Sequence, residues 1–244
     1  MREEGALSFS YHLSLITYHL LQMSSQEEYF LCWSAPPELM DELWAGGWRH
    51  FGGVFFRYRV WQHGGRRLTV TPLRIDLERF APSRSQRRVL ARNGDLRVET
   101  RPTEIVAELR RMFRRHRLRF REQVPESLDD FLSHAPATVP CRNETIRVYS
   151  GSRLVAAHFL DVGADASSSV YSMFDPEESR RSLGVYTILL AAERARGMGQ
   201  RHYYPGYATR EPSPYDYKKN LPALEEFDWR GRWLPLERGG AGVG

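Results

Sequence analysis

The stretch of sequence that decides the fold is residues 168–207, which read SSVYSMFDPEESRRSLGVYTILLAAERARGMGQRHYYPGY. Its first seven residues have the pattern of a half-buried strand. A helix is predicted from Ser182 or Leu183 to Arg196, because apolar residues repeat there at helical spacing and Gly197 follows as a stop signal. Residues 202–207 again have the pattern of a strand. The rest of the fold is predicted outward from this strand, helix and strand.

Two further strand-like segments, residues 145–149 and 153–161, lie just before this stretch. Together they predict an antiparallel meander, so the second half of the chain indicates an α+β fold with a mostly antiparallel sheet flanked by helices. The first half predicts a helix over 37–48, strands over 53–62 and 67–76, and helices over 86–92, 104–119 and 127–134.

These patterns predict two lobes and two short end segments, with a boundary between Pro136 and Pro140. We expect an unordered segment over 1–26, an N-terminal lobe with a basic segment over 27–138, a C-terminal domain over 139–238 and a flexible tail over 239–244. The first segment lacks a cationic leader and a small-residue cleavage site, which argues against a signal peptide.

Composition excludes several classes of protein. Of the 244 residues, 41% are hydrophobic and 27% are charged, as in a water-soluble globular protein. No apolar run approaches the roughly 20 residues that a membrane-spanning helix needs. The two cysteines, Cys32 and Cys141, are far apart in the sequence, which excludes a disulfide framework and favours a cytoplasmic location. A metal site built from this pair alone is not expected.

Arginine dominates the basic residues. Of 35 lysines and arginines, only Lys218 and Lys219 are lysines, and the net charge is +5. A G+C-rich genome explains this preference, but it does not explain the local excess of arginine between Arg84 and Arg121. Because guanidinium groups pair with phosphate, that segment is a candidate nucleic-acid surface, with an ordinary solvated face as the alternative.

Several motifs carry a resemblance to a known family. The strand and turn at residues 169–176, followed by the helix start at 181–186, resemble the C-terminal domain of the arginyl-tRNA–protein and leucyl-tRNA–protein transferases of the N-end rule pathway. Further matches in the second half are residues 203–207, Tyr217-Lys218, and Trp229 with Trp233. In the first half the matches are residues 46–52, 55–57, 72–75 and 82–90. The motifs keep the family's order over residues 27–235.

The resemblance implies a function. Members of this family transfer an amino acid from a charged tRNA to the N-terminal Asp or Glu of an acceptor protein, which marks that protein for degradation. The resemblance also implies a C-terminal lobe with GNAT-like (acyl-CoA N-acyltransferase-like) topology, a monomer, and aminoacyl-tRNA and acceptor proteins as partners. We expect leucine to be transferred, with arginine as the alternative that the sequence leaves open. The alternatives are a catalytically silent paralogue that binds tRNA or an N-degron, and a CoA-dependent N-acyltransferase.

One departure from the family concerns cofactors. Its N-terminal region usually carries cysteines, near its start and just before the Pro-Leu-Arg segment, that can bind a metal or an iron–sulfur cluster. Residues 67–70 contain none here, residues 209–215 replace a further family cysteine, and only Cys32 remains near the first position. A cluster cannot be assembled from this set. We therefore expect no cofactor and no metal site.

Transfer from an aminoacyl-tRNA needs no covalent enzyme intermediate, because the ester is already activated. It needs the tRNA 3′ end and the acceptor amine held together, a base for the amine proton, and donors for the oxyanion. The catalytic candidates are Asp175, as a base or amine-binding carboxylate, and Tyr171, as a hydroxyl donor. The alternative for Asp175 is a turn residue that caps local backbone.

Further residues of these motifs are predicted to bind the substrates. The tRNA-binding candidates lie in the basic segment and at a helix start, where the helix dipole favours phosphate: Arg84, Gln86, Arg87, Arg88, Arg180, Arg181, Ser182 and Gly184. The acceptor-binding candidates are Arg57, Arg74, Tyr207, Tyr217 and Lys218. The structural alternatives are a charged helix cap, a surface lysine and aromatic packing. Tyr186 stands where CoA-using relatives have a small residue against the pyrophosphate, which argues against CoA.

Overall fold

The structure is a computed structural model that describes residues 27–120 and 124–236. The predicted unordered segment (1–26) and the predicted tail (239–244) lie outside these residues. The strands and helices, in chain order, are β1 (Glu27–Leu31), α1 (Pro37–Ala45), β2 (Arg49–Phe51), β3 (Val54–Tyr58), β4 (Val60–His63), β5 (Arg66–Asp76), α2 (Arg84–Arg92), β6 (Arg97–Pro102), α3 (Ala107–His116), β7 (Asn143–Ser150), β8 (Arg153–Val162), β9 (Ala166–Phe174), α4 (Leu183–Gly197), β10 (His202–Thr209), β11 (Leu224–Phe227) and β12 (Trp233–Pro235). Short 3₁₀ helices occupy Arg117–Arg119, Leu128–Asp130, Pro176–Arg181 and Asp216–Asn220.

The first strands form a small antiparallel sheet in the order β1-β3-β2. Helix α1 has Pro37 in its first turn, where a missing N–H removes no helical hydrogen bond. Its buried residues Met40 and Trp44 share one apolar cluster with Phe55 of β3. The small sheet and α1 therefore have a common core.

The larger sheet has nine strands. Eight follow the order β12-β11-β5-β10-β9-β8-β7-β6, and β4 pairs with β5 outside that path. Every pairing is antiparallel except that of β9 with β10, which is parallel because α4 carries the chain back between them. The prediction of an α+β fold with a mostly antiparallel sheet flanked by helices is confirmed.

Strands from both halves of the chain share this sheet. From the first half, β5 lies between β11 and β10, and β6 lies beside β7. A division at residues 138/139 therefore falls across one hydrogen-bonded sheet, and the two-lobe division stays a prediction.

Helices α3 and α4 cover opposite faces of the large sheet. Phe113 of α3 packs in one cluster with Ala157 of β8, whereas Leu183 of α4 packs in another with Ala156. Because successive side chains of a strand point to opposite faces, the sheet lies between the two helices. No helix within the described ranges is long and apolar enough to cross a membrane.

Three predicted elements differ from the structure. Instead of a helix over 127–134, one 3₁₀ turn forms at Leu128–Asp130, because Ser127 and Asp130 cap it reciprocally. The helix predicted over 104–119 is shorter in the structure: α3 ends at His116, and Leu118 beyond its end is 81% exposed. The strand predicted over 53–62 divides at Arg59, where the chain leaves the small sheet for the large one.

Candidate active site

Strands β9 and β10 separate part-way along the large sheet. Their parallel pairing covers three residue pairs, from Ala166 with His202 to Ser168 with Tyr204. Beyond these pairs β9 continues on β8, whereas β10 continues on β5. A gap therefore opens in the middle of the sheet, which we call the β9–β10 gap.

Two residues of β10 account for the separation. Pro205 has no N–H to donate to a neighbouring strand. Gly206 has a φ of +99°, and the pairing of β10 with β5 shifts register between Tyr203 and Gly206. A Cβ at position 206 would also lie 3.1 Å from Nζ of Lys218. The Pro-Gly pair makes a bulge at the point where the gap begins.

A buried hydrogen-bonded network lies where the gap begins. Ser169 is the first β9 residue beyond those that pair with β10. Its Oγ lies 2.5 Å from the hydroxyl of Tyr203 and 2.9 Å from Nε2 of His158. Burial, and after it the charge of Lys218, lowers the pKa of His158 to about 3, so its imidazole is neutral at physiological pH. Nδ1 of His158 has no hydrogen-bond partner within residues 27–120 and 124–236. The network therefore retains a free ring nitrogen.

Lys218 enters the same region from the 3₁₀ helix Asp216–Asn220. Its ammonium group donates a hydrogen bond to the main-chain oxygen of Tyr207 at 3.2 Å and lies 5.1 Å from the ring centre of Tyr215. Burial, and after it the charge of Arg49, lowers the pKa of Lys218 to about 8. In the part of the chain that the structure describes, no carboxylate forms an ion pair with this lysine.

Arg49 of β2 is a second cation in this region and is 6% exposed, and sequence reasoning missed it. Its guanidinium carbon lies 5.0 Å from the ring centre of Tyr204 and 5.4 Å from that of Tyr207. It donates hydrogen bonds to the main-chain oxygens of Trp48 at 2.5 Å and Leu73 at 3.4 Å, while its Nε has no partner among the described residues. No described acid pairs with it either. The only sequence signal for Arg49 was its place within residues 46–52, one of the segments that resemble the family.

Tyrosine side chains surround the two cations. The rings of Tyr58 and Tyr207 pack edge to face with centres 5.3 Å apart. Burial, and after it the proximity of Tyr215, raises the pKa of Tyr58 and of Tyr171. Because their pKa values are raised, these hydroxyls stay protonated at physiological pH and can donate hydrogen bonds.

Asp175, the predicted base, lies at the end of β9 and is 1% exposed. Its carboxylate accepts hydrogen bonds from Arg115 at 2.9 Å and Arg153 at 2.5 Å. It also accepts from the backbone N–H of Glu177 at 3.1 Å and so caps the following 3₁₀ helix. A cavity of about 230 Å³ beside it is lined by basic and acidic side chains, among them Arg111. These contacts fit the capping alternative, and the catalytic role stays a prediction.

Tyr171, the other predicted catalytic residue, lies in the second half of β9. Its ring stacks on that of Phe131 with centres 3.9 Å apart. Its hydroxyl is buried and has no partner among the residues that the structure describes. The ring is therefore fixed by packing, while the buried hydroxyl keeps an unused hydrogen-bonding capacity.

The predicted tRNA-binding residues of two distant motifs meet on one surface. Arg84, Arg88 and Arg92 follow one stripe of α2 at intervals of four residues. At the end of this stripe, Arg92 donates a hydrogen bond to the main-chain oxygen of Arg180 at 2.7 Å. The stripe and the residues before α4 therefore form a continuous basic surface.

Some of these candidates are already engaged. Arg181 forms a bidentate ion pair with Asp95 at 2.8 and 3.0 Å. Gln86 is 5% exposed, accepts from the backbone N–H of Ser83 at 2.8 Å and donates to the oxygen of Asn220 at 2.9 Å. As they stand, these two side chains have structural roles, and phosphate binding by them stays a prediction.

The other tRNA-binding candidates are less constrained. Arg87 is exposed and donates to the main-chain oxygen of Pro82 at 2.6 Å. Ser182 is the N-cap of α4 with a φ of +56°, and its hydroxyl makes no capping hydrogen bond. Gly184 lies against Phe174, whose ring would be 3.2 Å from a Cβ added there. The start of α4 therefore keeps a hydroxyl that no backbone N–H uses.

The structure separates the predicted acceptor-binding residues into two groups. Arg57 pairs with Glu28 at 2.7 Å, and Arg74 pairs with Glu225 at 2.6 Å, so both charges are neutralised within the chain. Of the remaining candidates, Tyr207 and Lys218 contact each other at the β9–β10 gap. Tyr217 precedes Lys218 in the same 3₁₀ helix and is 39% exposed.

The cysteine-based metal site of the family does not fit this chain. Cys32 and Cys141 are its two cysteines, and both are free and buried. β4 and β5, which cover the stretch before the Pro-Leu-Arg segment, hold none. An iron–sulfur cluster is usually held by about four cysteine ligands, which this chain cannot supply.

Comparisons with known proteins agree with this arrangement. The family described as arginine-tRNA-protein transferase, C terminus, matches residues 108–228. The chain is 34% identical over 190 residues to the aspartate/glutamate leucyltransferase of Shewanella oneidensis, which covers 75% of this chain and 76% of that protein. Its identity to the enzyme of the same name from Stenotrophomonas maltophilia is 32% over 196 residues, covering 77% and 76%. For Xanthomonas euvesicatoria the identity is 36% over 174 residues, covering 66% and 68%.

Among solved structures, one similarity is to the C-terminal domain of a protein from Agrobacterium fabrum described as a lysylphosphatidylglycerol synthetase. It has a TM-score of 0.48 and 14% identity, and it covers 73% of this chain and 54% of that one. This similarity is too distant to support a functional assignment.

The sequence relatives show that the protein is an enzyme of the aminoacyltransferase class. The chain belongs to the aminoacyl-tRNA–protein transferase family. The resemblance predicted from the motifs between Gly46 and Trp233 is confirmed.

Proposed function

We propose that this enzyme transfers leucine from leucyl-tRNA to the α-amino group of N-terminal Asp or Glu residues. Its relatives at 32–36% identity are named aspartate/glutamate leucyltransferases. The observation that carries the proposal is the pair of cations, Lys218 and Arg49, which no carboxylate of the described residues neutralises. The acidic side chain of an acceptor would supply the missing carboxylate, and the surrounding tyrosines would exclude water from the pair.

In the proposed reaction, the neutral amine of the acceptor attacks the ester carbonyl carbon of the aminoacyl-tRNA. A C–N bond forms, the C–O bond to the tRNA 3′ ribose breaks, and the amine proton passes to the departing ribose oxygen. Holding both substrates in the β9–β10 gap supplies much of the acceleration through orientation. No cofactor takes part in this reaction.

The side chains at the gap have distinct roles in this proposal. Tyr171, whose hydroxyl lacks a partner in the described chain, donates a hydrogen bond to the oxyanion. The neutral imidazole of His158 is too weak a base to hold the amine proton, but together with Ser169, to which it is hydrogen-bonded, it can relay that proton. Asp175 holds Arg115 and Arg153 in place at the end of β9.

We propose that tRNA lies on the surface formed by α2 and the start of α4. The exposed arginines Arg84, Arg87 and Arg88 and the adjacent Arg180 would contact its phosphates. Because such binding releases counterions, tRNA affinity should fall steeply with salt.

A GNAT-like topology for the second half of the chain is also a proposal. It is supported by the order β7, β8, β9, α4, β10 and by the separation of the two parallel strands. Tyr186 lies in the first turns of α4 and is 5% exposed. CoA-using relatives need a small residue at this position to make room for the pyrophosphate, so Tyr186 argues against CoA. We further propose a cytoplasmic monomer that marks acceptors for degradation in the N-end rule pathway.

The test offers labelled Leu-tRNA or Arg-tRNA and peptides that begin with Glu, Asp, Gln or Asn. We expect leucine on the Glu and Asp peptides and at least tenfold slower transfer to the uncharged isosteres. Transfer from Arg-tRNA alone would replace leucine with arginine, whereas no transfer from either would overturn the proposal. Equal rates for Glu and Gln peptides would contradict the role of the two cations, and acetylation from acetyl-CoA would support the CoA-dependent alternative.

A further inference from the structure

Three side chains that can bind a metal meet in the core, and none of them has been assigned to transfer, although His50 directly follows Arg49 in β2. His50 belongs to β2, Cys141 lies just before β7, and Asp161 belongs to β8. Their ligand atoms all lie within 4.8 Å of one another. Exposure is 5%, 4% and 2%, so water does not compete freely for these groups.

The surroundings of the His50 ring require a positive species beside it. Nδ1 lies 2.9 Å from the main-chain oxygen of Gly52, which can only accept, so Nδ1 carries a hydrogen. Nε2 lies 2.7 Å from Oδ2 of Asp161. A ring lone pair and a carboxylate oxygen repel each other at that distance. Either a second proton or a metal ion therefore lies between them.

His50 and Asp161 also make hydrogen bonds to residues outside the cluster, of the kind that orient metal ligands in other proteins. Metal-binding histidines usually donate their other ring N–H to a carbonyl, and ligating carboxylates are themselves hydrogen-bonded. His50 does the first through Gly52. Asp161 does the second, because Nδ2 of Asn143 donates to its Oδ1 at 2.8 Å, and Thr103 in turn donates to the side-chain oxygen of Asn143.

The sulfur adds a third ligand of the kind that zinc binds. Without a metal, a proton shared by His50 and Asp161 and a thiol hydrogen bond from Cys141 to Asp161 would hold the same three groups together, so these are the two alternatives that the test separates. We infer that His50, Cys141 and Asp161 form a structural site for one Zn²⁺ ion. Zinc binds imidazole nitrogen, thiolate sulfur and carboxylate oxygen, and water would complete a tetrahedron. Tetrahedral zinc ligands lie about 3.3 Å apart, so Nε2 and Oδ2 would move apart by roughly 0.6 Å.

The proposed ion would join the two sheets of the molecule. His50 comes from the small sheet, whereas Asp161 belongs to the large one and Cys141 directly precedes it. We therefore assign it a role in stability. This site also differs from the family's cysteine-based one, because one cysteine suffices.

The test compares untagged wild-type protein with Cys141→Ala and with Cys32→Ala as the matched control. Cys32 is 3% exposed and packs in the same apolar cluster, but its thiol donates to the oxygen of Ser34 at 3.4 Å and it is not one of the three ligands. Each chain is loaded with Zn²⁺, freed of excess and assayed by elemental analysis. We expect one equivalent in the wild type and in Cys32→Ala, and less than a tenth of that in Cys141→Ala.

A second measurement keeps the inference falsifiable if Cys141→Ala does not fold. Wild-type protein loaded with Co²⁺ should show a near-ultraviolet thiolate-to-cobalt charge-transfer band, which a surface histidine site cannot give. A chelator should lower the melting temperature of the wild type and of Cys32→Ala. A folded wild-type chain that retains no zinc and shows no such band would overturn the inference. Equal zinc in Cys141→Ala and wild type would overturn it as well.

Discussion

The ammonium group of Lys218 donates a hydrogen bond to the main-chain oxygen of Tyr207 at 3.2 Å, directly beside the glycine of the β10 bulge. The contact depends on that glycine, because a Cβ at position 206 would lie 3.1 Å from Nζ. The bulge that opens the sheet therefore also admits the cation that we assign to the acceptor.

Replacing Lys218 with methionine should weaken acceptor binding. Because a hydrogen bond to a charged group contributes about 1.5–3 kcal/mol, KM for a Glu-initiated peptide should rise about 10- to 100-fold, with a smaller change in kcat. The matched control is Lys219→Met, since Lys219 is the only other lysine and pairs with Asp216 at 2.8 Å. Steady-state kinetics that show equal KM values for the two variants would refute this role.

The pKa of Lys218, about 8, predicts the pH dependence of specificity. The lysine is cationic below that pH and loses its proton as pH rises through it. The ratio of kcat/KM for Glu peptides to that for Gln peptides should therefore fall about tenfold between about pH 7 and about pH 9. Taking the ratio cancels the titration of the acceptor amine, which both peptides share. A ratio that stays constant over this range would contradict the assignment.

Gly206→Ala should damage both the fold and the site. Alanine rarely adopts a φ of +99°, and its Cβ would displace Lys218. We expect a loss of stability of about 1–3 kcal/mol and a raised KM for the acceptor. Gly151→Ala is the control, because Gly151 has a φ of +59° but no atom within 4 Å of the added Cβ. That control should lose stability while its KM stays unchanged, as chemical denaturation and kinetics would show.

Asp175→Asn separates the catalytic role predicted from sequence from the structural role that its contacts indicate. We expect a loss of about 2 kcal/mol, because Arg115 and Arg153 lose their buried partner but are themselves half-exposed. From these contacts we expect kcat to change less than tenfold. Glu177→Gln is the control, since Glu177 also pairs with Arg115, at 3.0 Å, but is exposed. A folded Asp175→Asn protein with kcat reduced more than a hundredfold would restore the catalytic assignment.

Buried His116 should make the protein less stable in mild acid. Burial lowers its pKa to about 4, below the 6.5 of an unfolded chain, so the unfolded state binds the proton more strongly. Stability should therefore fall as pH drops below about 6.5, by about 2 kcal/mol at about pH 5. Denaturation of His116→Asn across this range should show a shallower slope than that of His134→Asn, which alters an exposed histidine. Equal slopes would contradict this account.

The parts of the fold that follow local periodicity were predictable from the sequence. Helix α4 and strands β7 to β10 have strong patterns and clear stop signals. Strand β6 was not predictable, because its sequence RVETRP is mostly polar and its pairing with β7 is what forms it. The position of β5 between β10 and β11 depends on contacts far apart in sequence, which no local pattern encodes.

The site was only partly predictable for the same physical reason. Lys218 and Tyr207 stand out as motif residues, and the structure brings them together. Arg74 and Arg181 carry the same charge in equally strong motifs, but Glu225 and Asp95 neutralise them across the fold. Sequence shows that a charge is present, whereas only the folded chain shows whether a partner cancels it. Arg49 was missed because a lone arginine in a short strand gives no sign of its burial.

The central place of β5 has a consequence for anyone who works with pieces of this protein. A fragment limited to residues 108–228, the region that the family match covers, would keep β10 and β11 but lose the strand between them. Both strands would then present bare backbone edges to solvent, and bare edges recruit other chains. Such a fragment should self-associate, and adding a peptide with the sequence of β5 should return it to a monomeric state.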